Sequence, residues 1–239
     1  MKKIIILIAV LTISFSCKKE LKSSSINSFY ITGHIDSIFE NTKVFLKIQE
    51  NKTIILLDST QIINGSFIFS GNNNNPSVFG IYIDSLKSSI GFFIENDSVT
   101  IDVNKDNISE SKVSGSKLND QYLEYIKKSN QILSKTNYLF PIFQKARAEN
   151  DVDKLNEIYE KMKVINNENT QFALNYAKEH RNSYIAAFAL HSILNDYSTS
   201  KDSIFNVYNN FSENVKKGDF AIEILVFIES KSILDNIKN

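Results

Sequence analysis

Ile54-Ile55-Leu56-Leu57-Asp58-Ser59-Thr60-Gln61-Ile62-Ile63-Asn64-Gly65-Ser66-Phe67-Ile68-Phe69 is the stretch whose reading decides the fold. Asn-Gly lies between two runs rich in branched and aromatic residues. A type I′ turn needs positive φ at both central positions, and Asn-Gly meets that need at low cost. The sequence therefore predicts a hairpin turning at Asn64-Gly65. Phe67 and Phe69 lie two apart, so they share one face of a strand, and that face is assigned to the core.

The same grammar repeats on both sides. Residues 29–35 and 44–48 upstream, and 78–83, 90–94 and 99–103 downstream, are short apolar runs bounded by Asn, Asp and Ser. Asn72-Asn73-Asn74-Asn75-Pro76 interrupts them as a loop, and Glu95-Asn96-Asp97-Ser98 reads as a turn. Six or seven short strands make an antiparallel β-sandwich over residues 28–115.

From Gly115-Ser116 onward the period changes from two to between three and four. Ser116 is a candidate N-cap, followed by Leu118, Tyr122, Tyr125, Ile126 and Leu133. Phe140-Pro141 marks a break. Val152, Leu155, Ile158, Tyr159, Met162 and Ile165 form a stripe that continues through Phe172, Ala173 and Tyr176 toward His180. Asn182 or Ser183 caps a helix over 184–194, Asp202 caps another, and Gly218-Asp219 opens a last one. Residues 220–230 leave little polar face, so the last helix is expected to be the most buried. About five helices over 116–239 complete an α+β chain. One shared core and two adjoining ones fit the pattern equally well.

The N-terminus says where the protein sits. Lys2 and Lys3 precede an apolar run, 4–13, that is too short to span a bilayer, and Ser14-Phe15-Ser16-Cys17 ends it with the chain's one cysteine. The end resembles a bacterial lipobox. Ser16 fits that motif, while Ser14 departs from the leucine usual there. An ordinary cleaved signal is the alternative, but a lone cysteine at this one position favours the lipobox. Residues 1–16 are thus expected to be a signal peptide, Cys17 the lipid anchor, and 17–27 a serine-rich flexible tether. The expected location is the cell envelope, on the outer membrane, facing the periplasm or the cell surface. Several acyl chains, each buried methylene adding about 0.8 kcal/mol, would make attachment effectively permanent.

Removing 1–16 leaves 25 basic side chains against 27 acidic ones, a charge of about −2. Such a balance supplies no field for nucleic acid. An acylated Cys17 leaves no thiol for a redox couple or a thiolate metal site.

Gly33, Val44-Phe45-Leu46, Leu57-Asp58-Ser59-Thr60, Asn64-Gly65-Ser66-Phe67-Ile68-Phe69-Ser70-Gly71 and Phe92-Phe93-Ile94-Glu95-Asn96 together resemble a known module. It is an N-terminal β-domain of uncharacterised function, found in lipoproteins of certain Gram-negative bacteria and often placed ahead of a thioredoxin-like domain. The resemblance covers roughly residues 27–115 and implies fold rather than activity. The family's redox chemistry belongs to the thioredoxin-like part, and this chain has no Cys-x-x-Cys, so no catalytic residue carries over.

No motif in the sequence assembles a reaction. His34, His180 and His191 lack the i, i+4 spacing of metal ligands on one helix face and read as polar-rim residues. Asp36, Asp58, Asp84, Glu95, Asp97 and Asp102 stand beside predicted turns, where carboxylates stabilise backbone. Asp-Ser pairs at 36, 58, 84, 97 and 202 resemble a short O-glycosylation signal and equally suit turns and caps. No catalytic residue, metal ligand, cofactor or small-molecule substrate is assigned. The expectation is a non-catalytic binding or assembly module, held to the membrane by its lipid and meeting an envelope protein partner. The alternative is an accessory of the thiol:disulfide interchange family without its own redox centre.

Overall fold

The computed structural model describes residues 28–50, 53–196 and 199–237. The expected signal peptide, the anchor Cys17 and the tether lie outside these residues. Among the described residues eight strands come first: β1 (Ser28–His34), β2 (Lys43–Glu50), β3 (Thr53–Gln61), β4 (Ser66–Asn72), β5 (Ser77–Ile83), β6 (Ser89–Ile94), β7 (Ser98–Asp102) and β8 (Lys112–Ser114). They form two sheets, ordered β4-β1-β7-β8 and β3-β2-β5-β6. Phe29, Ile31, Phe67, Phe69, Phe79 and Phe92 are buried in the core that the strands build. The sandwich agrees with the sequence, with β8 added because three residues are too few to show a period. Its ladders are antiparallel except one: β1 lies between β4 and β7 and runs parallel to β7.

Asn64 (φ 51°) and Gly65 (φ 69°) adopt the left-handed pair that the sequence predicts. Ile63 and Ser66 exchange backbone hydrogen bonds at 2.9 and 3.1 Å, and the hairpin stops at that one bridge. Beyond it, β3 ladders with β2 in one sheet and β4 with β1 in the other. The turn is therefore a corner between sheets. The Glu40 carboxylate holds it by accepting from the Asn64 N–H at 3.1 Å. Turn chemistry fixes the bend, but burial chooses the partners: Phe67 and Phe69 turn inward on β4, whereas β3 is exposed along nearly all its length.

Seven α-helices follow among the described residues: α1 (Lys117–Leu133), α2 (Leu139–Glu149), α3 (Val152–Glu179), α4 (Tyr184–Ser192), α5 (Lys201–Asn209), α6 (Glu213–Lys216) and α7 (Asp219–Ile237). Ser116 caps α1 and Ser183 caps α4, each accepting from a backbone N–H of the first turn. The α5 cap is Ser200 rather than Asp202, which lies in the first turn and faces the helix dipole. Phe140-Pro141 does not break structure but falls in the first turn of α2, where a missing N–H leaves no intrahelical bond unmade. Asn150, with φ 54°, ends α2, and Asp151 caps α3 at once.

Among the residues whose burial is described, α4 is the most buried helix, with Ile185, Ala186, Ala187, Ala189 and Leu190 all buried. Small alanines let neighbouring helices close around it. In α7, by contrast, Ala221, Ile224 and Ile228 face inward while Ile222, Leu225 and Val226 remain exposed.

The sandwich and the helices keep separate cores joined through one sheet, and a third buried cluster, Leu139, Ala146, Ile158 and Ile165, lies between α2 and α3. Phe92 belongs to the sandwich core, and Phe93, its neighbour on the opposite face of β6, belongs to the helical core. Leu123 packs against both.

Candidate functional site

Val78 on β5 and Phe93 on β6 show how the sheet and helices meet. Both point away from the sandwich core, and α1, α4 and α7 cover them with Tyr122, Phe188 and Phe220. The rings interlock edge to face: Phe188 lies 5.3 Å from Tyr122, 5.2 Å from Phe220 and 6.4 Å from Phe93, centroid to centroid. Burial pushes the Tyr122 hydroxyl pKa up.

Beside this aromatic floor opens a groove of about 730 Å³. Phe188, Phe220 and Phe227 line its depth, and Ile222 and Val226 of α7 stand at its mouth. Its polar edge comes from α4. His191 Nε2 is 2.6 Å from Glu223 Oε2, and the imidazole packs against Phe220 at 5.2 Å. Ser192 and Asn195 continue the edge into a second, polar cleft of about 350 Å³ lined by Asn166, Asn169, Thr170 and Asp196. There Thr170 Oγ1 donates to Asp196, and Ser129 Oγ donates to Asn169 Oδ1 at 2.8 Å. A third cavity, about 570 Å³, lies between α2 and α3 against Leu139, Phe143 and Met162.

The histidines are dispersed. His34 is exposed on β1, its Nδ1 3.1 Å from Ser66 Oγ. His180 follows the end of α3 and stacks on Tyr176 with centroids 4.2 Å apart. His191 lies at the large groove.

Three of these acidic residues act on local backbone. Asp36, Asp58 and Asp97 accept from the N–H groups of Ile38, Ser59 and Ser98 at 3.4, 2.7 and 2.8 Å. Asp84 N–H donates to the Lys43 carbonyl at 2.9 Å, and Asp102 faces Lys112 across β7 and β8. Burial, and secondarily Asp97, raises the Glu95 pKa. None of these acids lines the three cavities, nor does His34. Among the described residues no three His, Cys, Asp or Glu stand close enough to hold a metal. No helix among them is long and apolar enough to cross a membrane.

Glu223 carries no local signal, because its partner His191 is 32 residues away. The covered outer face of β5 and β6 did leave a trace. Residues 77–83 and 89–94 are nearly continuous in apolar side chains, the mark of strands buried on both faces.

The strands and the first turns of α1 form one unit, since α1 packs on β6 and Asn119 hydrogen-bonds to it. Residues 29–122 match the family model described as a domain of unknown function, DUF4369. The DUF4369 match thus takes in β1 almost from its start, all of β2 to β8, and α1 as far as Tyr122 at the floor of the groove. No curated protein matches the chain.

Proposed function

We propose that this protein is a non-catalytic, lipid-anchored component of the cell envelope that binds a partner, and that the groove beside α4 and α7 is its binding face. The observation behind this reading is the groove itself. It offers aromatic and aliphatic walls, and the one pair within it able to carry opposite charges, His191 and Glu223, already satisfies itself. Such a surface rewards burial of an apolar group and uses its polar rim for orientation. Attachment rests on Cys17 at the end of the lipobox-like stretch. The partner is an envelope protein; the near-neutral charge gives nucleic acid no foothold.

A photo-crosslinking residue at position 226, in the groove mouth, should give a discrete adduct in envelopes. The same residue at position 159, exposed on α3, should not. Equal labelling from both positions, or none from 226, rejects the groove as the binding face. Independently, Cys17→Ser should release the protein from membranes and abolish lipid labelling. Unchanged labelling would reject the anchor.

A further inference from the structure

α2 turns more of its large apolar side chains to solvent than to the core. Leu139 and Ala146 are buried, whereas Phe140 is 64 % exposed and Tyr138, the residue before the helix, 55 %. Ile142 is exposed as well. At the same corner lies the cavity of about 570 Å³, lined by Leu139, Phe140, Phe143 and Met162, with Thr136 and Asn137 as its polar residues. No charged side chain lines it. A hole with so few hydrogen-bonding groups suits hydrocarbon, because a peptide entering it would strand its backbone amides. The charge around this corner is one-sided. From Tyr125 to Ala148 the sequence has Lys127, Lys128, Lys135, Lys145 and Arg147 and no acid, in a chain that is neutral overall. Lys128, Lys135 and Lys145 reach Glu124, Glu168 and Glu149 outside this segment. Lys127 and Arg147 are exposed and make no ion pair among the described residues.

We propose that this corner of α2 rests on an anionic lipid surface, with Tyr138, Phe140 and Ile142 in the headgroup region and the basic segment toward the phosphates. The inference rests on the lipid anchor proposed above. Given that anchor, the residues from Cys17 to Asn27 reach at most about 40 Å even when fully extended, so the fold stays beside the bilayer. The membrane is then the apolar phase that this corner meets most often. Aromatic and aliphatic side chains with basic neighbours lie naturally in a bilayer interface, the apolar groups entering the acyl boundary while Lys and Arg meet phosphates. That composition, and a cavity without charge, fit lipid rather than a second protein. With 11 residues α2 is too short to span, so it rides on the surface.

Cys17 is the one cysteine of the sequence, and there is no tryptophan. The chain from Cys17 onward, which holds every described residue, is coupled through that thiol to a maleimide lipid in vesicles of phosphatidylethanolamine and phosphatidylglycerol. Attachment is thereby imposed, so a wrong anchor and a wrong docking face fail separately: the first shows with Cys17→Ser in cells, the second on these vesicles. Phe140→Trp, and Tyr138→Trp as a second reporter, should shift their emission to the blue and lose it to bromine-substituted acyl chains. Phe205→Trp, also a lone tryptophan and exposed on α5, should do neither. Emission at positions 138 and 140 that vesicles leave unchanged, or quenching no stronger than at 205, overturns the proposal. Quenching undiminished by Lys127→Glu with Arg147→Glu overturns the choice of an anionic surface. A photo-crosslink from position 140 to another polypeptide, without quenching by brominated lipid, also overturns it, since that would make α2 a face for protein.

Discussion

Asn119 in the first turn of α1 accepts a hydrogen bond at 2.9 Å from the backbone N–H of Phe93 on β6. Both residues are fully buried. This contact ties the helices to the sheet edge, and the Asn119 amide nitrogen beside it has no partner among the described residues. Asn119→Ala strands the Phe93 N–H and should cost about 1–3 kcal/mol. Urea denaturation reads it, and an unchanged midpoint would show the contact to be dispensable.

Gly33 faces Phe67 across β1 and β4. A Cβ on Gly33 would come within 1.9 Å of the Phe67 ring, so the ring lies flat where a side chain would be. Gly33→Ala should destabilise by about 1–3 kcal/mol through overpacking. Combined with Phe67→Leu, part of that cost should disappear, a coupling that a double-mutant cycle measures. Additive losses would refute the steric account.

α7 is held to α4 by packing more than by charge. His191 and Glu223 are both partly solvated, so Glu223→Gln should cost less than about 1 kcal/mol. Ile224 is fully buried, and Ile224→Ala should cost about 2–5 kcal/mol. Thermal unfolding of the two variants decides, and the reverse order would make the His191–Glu223 hydrogen bond the dominant contact.

The Tyr176 pKa is pushed up to about 12, chiefly by burial and then by Glu124 and Tyr125. Its folded-state value exceeds the unfolded one near 10, so the stabilising contribution is intact below pH 10 and is lost as pH rises toward 12. Tyr122, Tyr125, Tyr184 and Tyr208 are shifted the same way, burial first in each case. Tyrosinate absorbance should therefore grow together with loss of helical circular dichroism in alkali. Tyr176→Phe should make the fall of stability above pH 10 shallower. An identical slope would remove Tyr176 from that account.

What was legible in the sequence was local chemistry. Ser116 and Ser183 announce helix starts because a hydroxyl meets an orphan N–H within three residues, and Phe67 and Phe69 declare a buried face through their spacing alone. Long-range choices left weaker traces. Nothing near Asn64-Gly65 says that its flanking strands part into different sheets, and nothing near His191 names Glu223. The apolar run in α7 suggested burial, yet α4 is the interior helix because its alanines allow close approach. At the candidate groove the sequence supplied the residue types, and only the fold brought α4, α7 and β5 together.

The position of β1 has a mechanical consequence. It is clamped along its length between β4 and β7, and it is the first strand that the chain enters after residue 27. A load reaching the fold through Ser28 pulls along the axis of this strand, so the two ladders must shear together rather than unzip one bond at a time. A protein held at its N-terminus would thus meet tension at the strand best placed to resist it.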